Sequence, residues 1–257
     1  MPSLNLLPDE RHRLIRQRLS LGERVLAAEM ARELGASEDT IRRDLRELAN
    51  LGVCQRVYGG ALPVSPASGS FKVRQSQKLG SKIALGQAAA TMIAADQVIF
   101  LDAGTTNLEI ARALPNHPKL TVATNSPAIA MELISRSDIT LVMIGGRIDP
   151  DAGAALGARA IRDIQSISID LSFLGACAVS EADVRAFIFE DAEFKQALVG
   201  TSRAVAVAVT TEKLGTTAPF HAAFSSDLDL LIVEADAPAG QLQAFRRAGV
   251  RIHQLAG

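Results

Sequence analysis

From about Lys82 onward, short, largely apolar runs alternate with stretches of helical periodicity. The runs are Val98-Ile99-Phe100-Leu101, Leu120-Thr121-Val122-Ala123, Ile139 to Ile144, Val205 to Val209 and Leu228 to Val233. A strand with one wet face alternates apolar and polar residues, whereas a strand covered on both faces does not. These runs therefore predict a mostly parallel sheet with helices on both sides, an α/β domain. Aromatic residues make up only 4% of the chain and Trp is absent, so the core has to be built from Ala, Val, Ile and Leu. A chain of 257 residues has room for that domain and a second, smaller one.

The first sixty residues have a different character, with ten Arg, no Lys and helical periodicity. Pro63 to Ser70 is rich in Pro, Ser and Gly and reads as a linker. The expected division is an N-terminal domain over 1–62, a linker over 63–72 and a larger domain over 73–257. The net charge of -1 supplies no bulk attraction for nucleic acid, so a DNA-binding function has to rest on a local cluster. Cys54 and Cys177 are far apart, and the four His are scattered. Neither a disulfide framework nor a zinc site is expected, and no cofactor is implied. The segment Met1 to Arg18 is charged and lacks the apolar centre of a signal peptide, and no apolar run is long enough to span a membrane. The expectation is a cytoplasmic protein with no membrane partner.

Three helices are expected in the N-terminal part. The first runs from about Pro8 to Ser20, with Leu14, Ile15 and Leu19 on one face. The second runs from about Leu26 to Leu34 and stops at Gly35. The third follows Ser37, a good N-cap, and buries Ile41, Leu45 and Leu48. Thr40, Arg42, Arg43 and Arg46 fall outside that stripe. Two short helices joined by Gly35-Ala36-Ser37, the second with an open face of Arg, match a helix-turn-helix. The start of its second helix enters the major groove, where Arg bonds guanine or phosphate in bidentate fashion. Val53 to Gly60 alternates like a small β-wing and brings Arg56 and Tyr58 near the DNA backbone. The same helix carries Glu38, Asp39, Asp44 and Glu47, so a solvated face laced with i,i+4 pairs is the competing reading.

In the larger part, Val98 to Asn107 reads as strand, turn and helix. Gly104 permits close backbone approach. Thr105 and Thr106 bring hydroxyls to a helix N-terminus, an anion site suited to phosphate. Asp102, at the strand end, is placed to accept from sugar hydroxyls. An ordinary capped turn accounts for the same residues. Asn125 and Ser126 before Pro127, and Gly145-Gly146-Arg147, follow the next two strands. Three strand ends thus carry small or polar residues on one edge, where open α/β sheets bind ligands. No G-x-G-x-x-G dinucleotide fingerprint is present.

The stretch Ser37 to Leu45, S-x-x-T-I-R-R-D-L, followed by Leu48, Gly52 and Tyr58-Gly59-Gly60-Ala61, resembles the signature of DeoR-type bacterial regulators. The D-x-G-T-T, T-N-S and G-G-R turns are similar to that family's effector domain, whose fold is like that of ribose-phosphate isomerase. The resemblance implies a winged helix-turn-helix repressor that reads double-stranded operator DNA through Ser37, Thr40, Arg42 and Arg43, with Asp44 orienting neighbours or capping. It also implies a phosphorylated sugar or related metabolite as effector. Asp102, Gly104, Thr105, Thr106, Asn125, Ser126, Gly146 and Arg147 are the implied lining, and a homo-oligomer, dimer or tetramer, is the implied assembly. Glu190-Asp191-Ala192-Glu193-Phe194-Lys195 matches a further family segment. Lys195 either neutralises a phosphate or pairs with Asp191, four residues earlier. Lys213 and Gly215 match another segment.

There are departures. Tyr58 replaces the usual His, Ser180 to Phe189 lacks the usual Gly and Thr, and Thr210 stands at the start of a pattern that usually begins with Asp. Phe187 and Phe189 either narrow the pocket or belong to the core. The rival reading is a working sugar-phosphate isomerase that recruits Asp102, Asp191, Lys195 and Lys213 for proton transfer. A DNA-architectural protein with a purely structural second half is the third.

Overall fold

A computed structural model describes residues 6–20, 23–63, 65, 67, 69–116 and 119–257. Val64, Pro66 and Ser68 of the expected linker, and Met1 to Asn5 of the N-terminal segment, lie outside the described residues.

The N-terminal part comprises α1 (Pro8–Ser20), β1 (Val25–Leu26), α2 (Ala27–Leu34), α3 (Glu38–Asn50), β2 (Cys54–Val57) and β3 (Gly60–Pro63). Ile15 and Leu19 of α1, Met30 and Leu34 of α2, and Ile41, Leu45 and Leu48 of α3 form one closed core. Leu14 departs from expectation and is exposed, because the face buried by Ile15 and Leu19 turns it outward. Leu26, expected to open the second helix, instead pairs together with Val25 to the wing strand β3 in antiparallel register. Gly60 is what allows that approach, since a Cβ there would lie 2.0 Å from the Val25 carbonyl oxygen. The helix-turn-helix and its wing are thereby one packed unit.

The larger part begins with α4 (Phe71–Ser76) and α5 (Leu79–Ala90). It continues through β4 (Val98–Leu101), α6 (Thr105–Ala113), β5 (Leu120–Thr124), α7 (Pro127–Leu133) and β6 (Ile139–Met143). A hairpin, β7 (Arg147–Asp149) and β8 (Ala154–Leu156), precedes α8 (Ala158–Ile164) and β9 (Leu171–Phe173). Then come β10 (Ala178–Val179), β11 (Asp183–Ala186), α9 (Phe189–Thr201), β12 (Val205–Val209), β13 (Phe220–Phe224), β14 (Leu230–Val233), α10 (Ala239–Arg247) and β15 (Arg251–Gln254). Seven strands form one sheet in the order β15-β14-β12-β9-β4-β5-β6, with every neighbouring pair parallel. A three-stranded antiparallel sheet, β10-β11-β13, stands beside it.

The continuous rather than alternating apolar runs follow directly from this architecture. Val205, Val207 and Val209 of β12 enter the core on one face, while Ala206 and Ala208 enter the core on the other. Phe100 faces the first core and packs on Phe194 of α9, with ring centroids 5.9 Å apart, whereas Ile99 and Leu101 face the second. Helices α8, α9 and α10 cover the first face and α5, α6 and α7 the second. Both faces are dry, so no position needs a polar side chain. The expected run at Leu228 to Val233 is shorter as a strand, because Ser225–Asp227 forms a 3-10 turn just before it.

The segment read as a linker is held down where it is described. The Ser65 N–H donates to the Thr217 carbonyl at 3.3 Å, and its hydroxyl donates to the Cys177 carbonyl at 2.5 Å. The Phe71 N–H donates to the Asp151 carbonyl at 3.0 Å. This strap crosses the carboxyl edge of the large sheet, which is where the cavity described next is found.

Candidate functional site

On α3, Ser37 caps the helix: its Oγ accepts from the Thr40 N–H at 3.1 Å and lies 2.8 Å from the Thr40 hydroxyl. Arg42, Arg43 and Arg46 are exposed along one side, with Arg56 and Tyr58 exposed on the wing. Arg42 pairs with Glu38 at 2.6 Å and lies 3.6 Å from Asp39, so the expected i,i+4 contact is present. Among the described residues, Arg43, Arg46 and Arg56 have no ion-pair partner. Asp44 does not orient the arginines of its own helix. It is buried and accepts from Arg11 of α1 through both oxygens, at 2.7 and 3.0 Å, with His12 at 3.3 Å. The Asp44 hydrogen bond raises the Arg11 guanidinium above its ordinary value. One carboxylate thus ties the base of α3 to α1 and leaves the outer side of α3 to the solvent.

At the carboxyl edge of the large sheet lies a cavity of about 250 Å³. One wall is the N-terminus of α6. Thr105 and Thr106 line it, both more than nine-tenths buried, and their hydroxyls have no partner among the described residues. Their backbone N–H groups belong to the first turn of the helix, which has no acceptors of its own and carries the positive end of the helix dipole. Arg74 of α4 and Lys213, after β12, line the same cavity. Arg74 is 9% exposed and donates to the Asp151 carbonyl at 2.7 Å, while its Nε is buried without a partner. Lys213 donates to the Ala176 carbonyl at 2.9 Å, and burial pushes its ammonium below the ordinary value, with Arg74 adding to that. Behind them Lys82 donates to the Arg74 carbonyl; burial, helped by Lys213 and Arg74, pushes its ammonium down to about 8. None of these three cations has a carboxylate within ion-pair distance among the described residues. Three mutually repelling buried cations beside a helix N-terminus form a place where an anion relieves strain in the charge distribution.

Another wall carries the opposite arrangement. Lys195 of α9 sits between Asp191, one turn earlier, and Asp102, which is 3.0 Å away. All three are almost fully buried. Burial alone would discharge Lys195, but Asp102 and Asp191 outweigh it and hold the ammonium above its usual range. Burial pushes the Asp102 carboxyl up. Asp102 was expected to meet sugar hydroxyls, yet it is 0% exposed and its oxygens are taken. They accept from the N–H groups of Ala103 and Gly175, both at 2.8 Å, and from Lys195. The i,i+4 pair of Asp191 and Lys195 forms as expected, but in the cavity wall rather than on an exposed helix.

The other expected lining residues divide. Gly104 lines the cavity, though its φ of 171° is ordinary extended backbone and an added Cβ would meet nothing closer than 3.6 Å. The glycine that the turn itself requires is Gly175, where a Cβ would lie 2.3 Å from the Ala103 carbonyl oxygen. Asn125, Ser126, Gly146 and Arg147 are set away from the cavity. Asn125 accepts from the Ala103 N–H at 2.9 Å and so shapes the turn from behind. Ser126 is fully buried, Gly146 packs on Leu156, and Arg147 turns outward to Glu190. Phe187 lines the cavity, whereas Phe189 is exposed and packs edge-on against Phe220 at 5.5 Å. Ala67, Gly69, Ser70, Arg74 and Cys177 line the cavity without having been legible as site residues; Arg74 and the strap residues reach it only where the chain crosses the sheet edge, and Lys82 stands behind Arg74. Among the described residues no cluster of His, Cys, Asp and Glu is arranged to hold a metal, and no helix is long and apolar enough to cross a membrane.

Two family descriptions match this chain. A DeoR-like helix-turn-helix domain covers residues 11–67, and a DeoR C-terminal sensor domain covers residues 77–235. The HTH-type transcriptional regulator GlpR of Haloferax volcanii is 32% identical over 250 residues, spanning 96% of this chain and 98% of that protein. The glycerol-3-phosphate regulon repressor of Escherichia coli K12 is 28% identical over 223 residues, 86% of this chain and 88% of the relative. The HTH-type transcriptional regulator GolR of Listeria innocua is 27% identical over 250 residues, 96% of this chain and 98% of the relative.

Proposed function

The chain belongs to the DeoR family of transcriptional regulators, and from that premise we propose that it is a repressor whose exposed α3 and wing grip operator DNA until a phosphorylated metabolite enters the cavity at the sheet edge. The relatives carry regulator names along nearly their whole length, which sets the isomerase reading aside. Ser37, Thr40, Arg42, Arg43 and Arg46 read the major groove, with Arg56 and Tyr58 on the backbone. Arg42 exchanges Glu38 for DNA at little cost, since that pair is half-exposed and worth well under ~1 kcal/mol.

The observation that carries the effector half is the set of open donors at one place, the Thr105 and Thr106 hydroxyls and the Arg74 Nε, beside the Lys213 ammonium, which has no carboxylate partner among the described residues. Buried donors are normally satisfied, and a set left open together marks a ligand's position. A phosphate group has the oxygens to meet them all. Coupling to DNA runs through the strap. Arg74 and residues 69–70 line the cavity, Ser65 and Pro63 are bonded to Cys177 and Thr217, and Pro63 ends the wing strand. A ligand that draws Arg74 inward therefore acts on the chain that leaves the wing at Pro63. A coupling of ~1–3 kcal/mol would change operator affinity by about 5- to 150-fold. We further infer a homo-oligomer in the cytoplasm, which presents two such heads to half-sites one helical turn apart or a multiple of it.

The test is a gel shift on DNA upstream of the protein's own gene, with and without sugar phosphates. A specific complex released by one of them is the expected result. A specific complex indifferent to every phosphorylated compound would sink the effector assignment, and no specific complex at all would sink the reading of α3.

A further inference from the structure

The cavity has one end rich in positive charge and another with none to spare. At the first end, Arg74 and Lys213 lie beside the α6 N-terminus, with Lys82 behind, and none has a carboxylate partner among the described residues. At the second end, the cation on the wall is Lys195, already shared by Asp102 and Asp191. That trio carries a charge of -1 with both carboxylates ionised and zero with one protonated, so no positive charge is left over in either state. Cys177 also lines the cavity, within electrostatic reach of Lys195 and of Lys213. Phe187 adds an apolar surface.

We propose that the Asp102–Lys195–Asp191 trio rejects a second anionic group, so that an effector held by one phosphate has to be uncharged at its other end. The inference rests on the reading of the cavity as a phosphate site. A phosphate bound by Arg74, Lys213, Thr105 and Thr106 extends the rest of the molecule toward α9. Asp191 and Lys195 offer an acceptor and a donor there, which suits alcohol groups. A carboxylate or second phosphate at that end would face Asp191 with no free counter-charge, in a site shielded from water, where like charges repel strongly. The acidic trio is thus a filter as well as a support for the turn at Gly175.

The cleanest comparison uses two ligands of nearly the same size. Glycerol 3-phosphate and 3-phosphoglycerate differ in one terminal carbon, an alcohol in the first and a carboxylate in the second. Binding is read on the full-length protein by calorimetry and by protection of Cys177 from iodoacetamide, with Cys54, which is 3% exposed, as the internal control. Glycerol 3-phosphate should bind at least about tenfold more tightly than 3-phosphoglycerate. Fructose 6-phosphate should likewise exceed fructose 1,6-bisphosphate. Asp191→Asn should narrow both gaps by removing one negative charge while keeping an acceptor. Equal or tighter binding of the acid and the bisphosphate by the unaltered protein overturns the filter while leaving the phosphate site intact. If neither inorganic phosphate nor any of the four organic phosphates binds or protects Cys177, the phosphate site itself falls, and the filter with it.

Discussion

Asp44→Ala should loosen the DNA-reading module more than any change on its exposed face. The carboxylate is buried between α1 and α3 and accepts two hydrogen bonds from Arg11. Removing one partner of a buried pair costs ~3–5 kcal/mol, because the other charge is left without compensation. The Arg11 side chain is 12% exposed against 5% for Asp44, so the guanidinium keeps a route to water and the cost belongs at ~2–3 kcal/mol. That is a large share of what a small module has in reserve. Tyr58 is the single tyrosine in a chain without Trp, so the intrinsic fluorescence anisotropy in a urea titration follows the wing alone. The same titration on Arg11→Met and on the double variant closes a cycle. The expected coupling is above ~1 kcal/mol, with the double variant less damaged than the sum of the singles. A coupling below ~0.5 kcal/mol would show that the pair does not hold α3 in place, and the argument from burial would be wrong.

Other outcomes follow from the same geometry. Replacing Arg42 and Arg43 together with Ala should abolish the operator complex in gel shifts while calorimetric binding of the effector is unchanged; retained operator binding would remove α3 from the interface. Thr105→Val keeps the shape of the residue and deletes a hydroxyl on the cavity, so operator binding should persist and its release by effector should weaken by about tenfold or more. Lys82 titrates at about 8 in the folded chain against an ordinary 10.5. The unfolded chain therefore holds the extra proton between those values, and stability should rise as pH climbs from about 8 toward 10.5. That part of the rise should vanish in Lys82→Met and shrink when inorganic phosphate is bound, as thermal melts across the range would reveal.

Much of the architecture was legible because the rules that reveal it are local. Runs such as Val205 to Val209 have no polar member, and the only common structure that tolerates this is a strand with dry faces on both sides. Ser37 and the stripe of Ile41, Leu45 and Leu48 likewise declare a helix start and its buried side within a dozen residues. The cavity was legible only in part. Thr105 and Thr106 announce themselves as a strand-turn-helix junction, but every such junction in a parallel sheet looks similar, so Asn125, Ser126 and Gly146 drew the same reading and proved to stand behind or beside the wall. Arg74 and Lys82 were missed for the converse reason. They lie on helices that are unremarkable in sequence, and only the path of the chain across the sheet edge brings Arg74 to the cavity, with Lys82 behind it. Asp102 was seen in the right place with the wrong partner, because nothing near it in sequence foretells Lys195, ninety-three positions later.

The strap between the two halves has a practical consequence for anyone recombining such proteins. A chimera spliced after residue 72, the far end of the linker by composition, would give the sensor a foreign stretch of wall, since Ala67, Gly69 and Ser70 border the cavity. Exchanging the DNA-reading head at that point would change what the sensor detects as well as which promoter it controls. A junction that leaves residues 64–76 with the sensor keeps the ligand's surroundings whole, and the two properties can then be inherited separately.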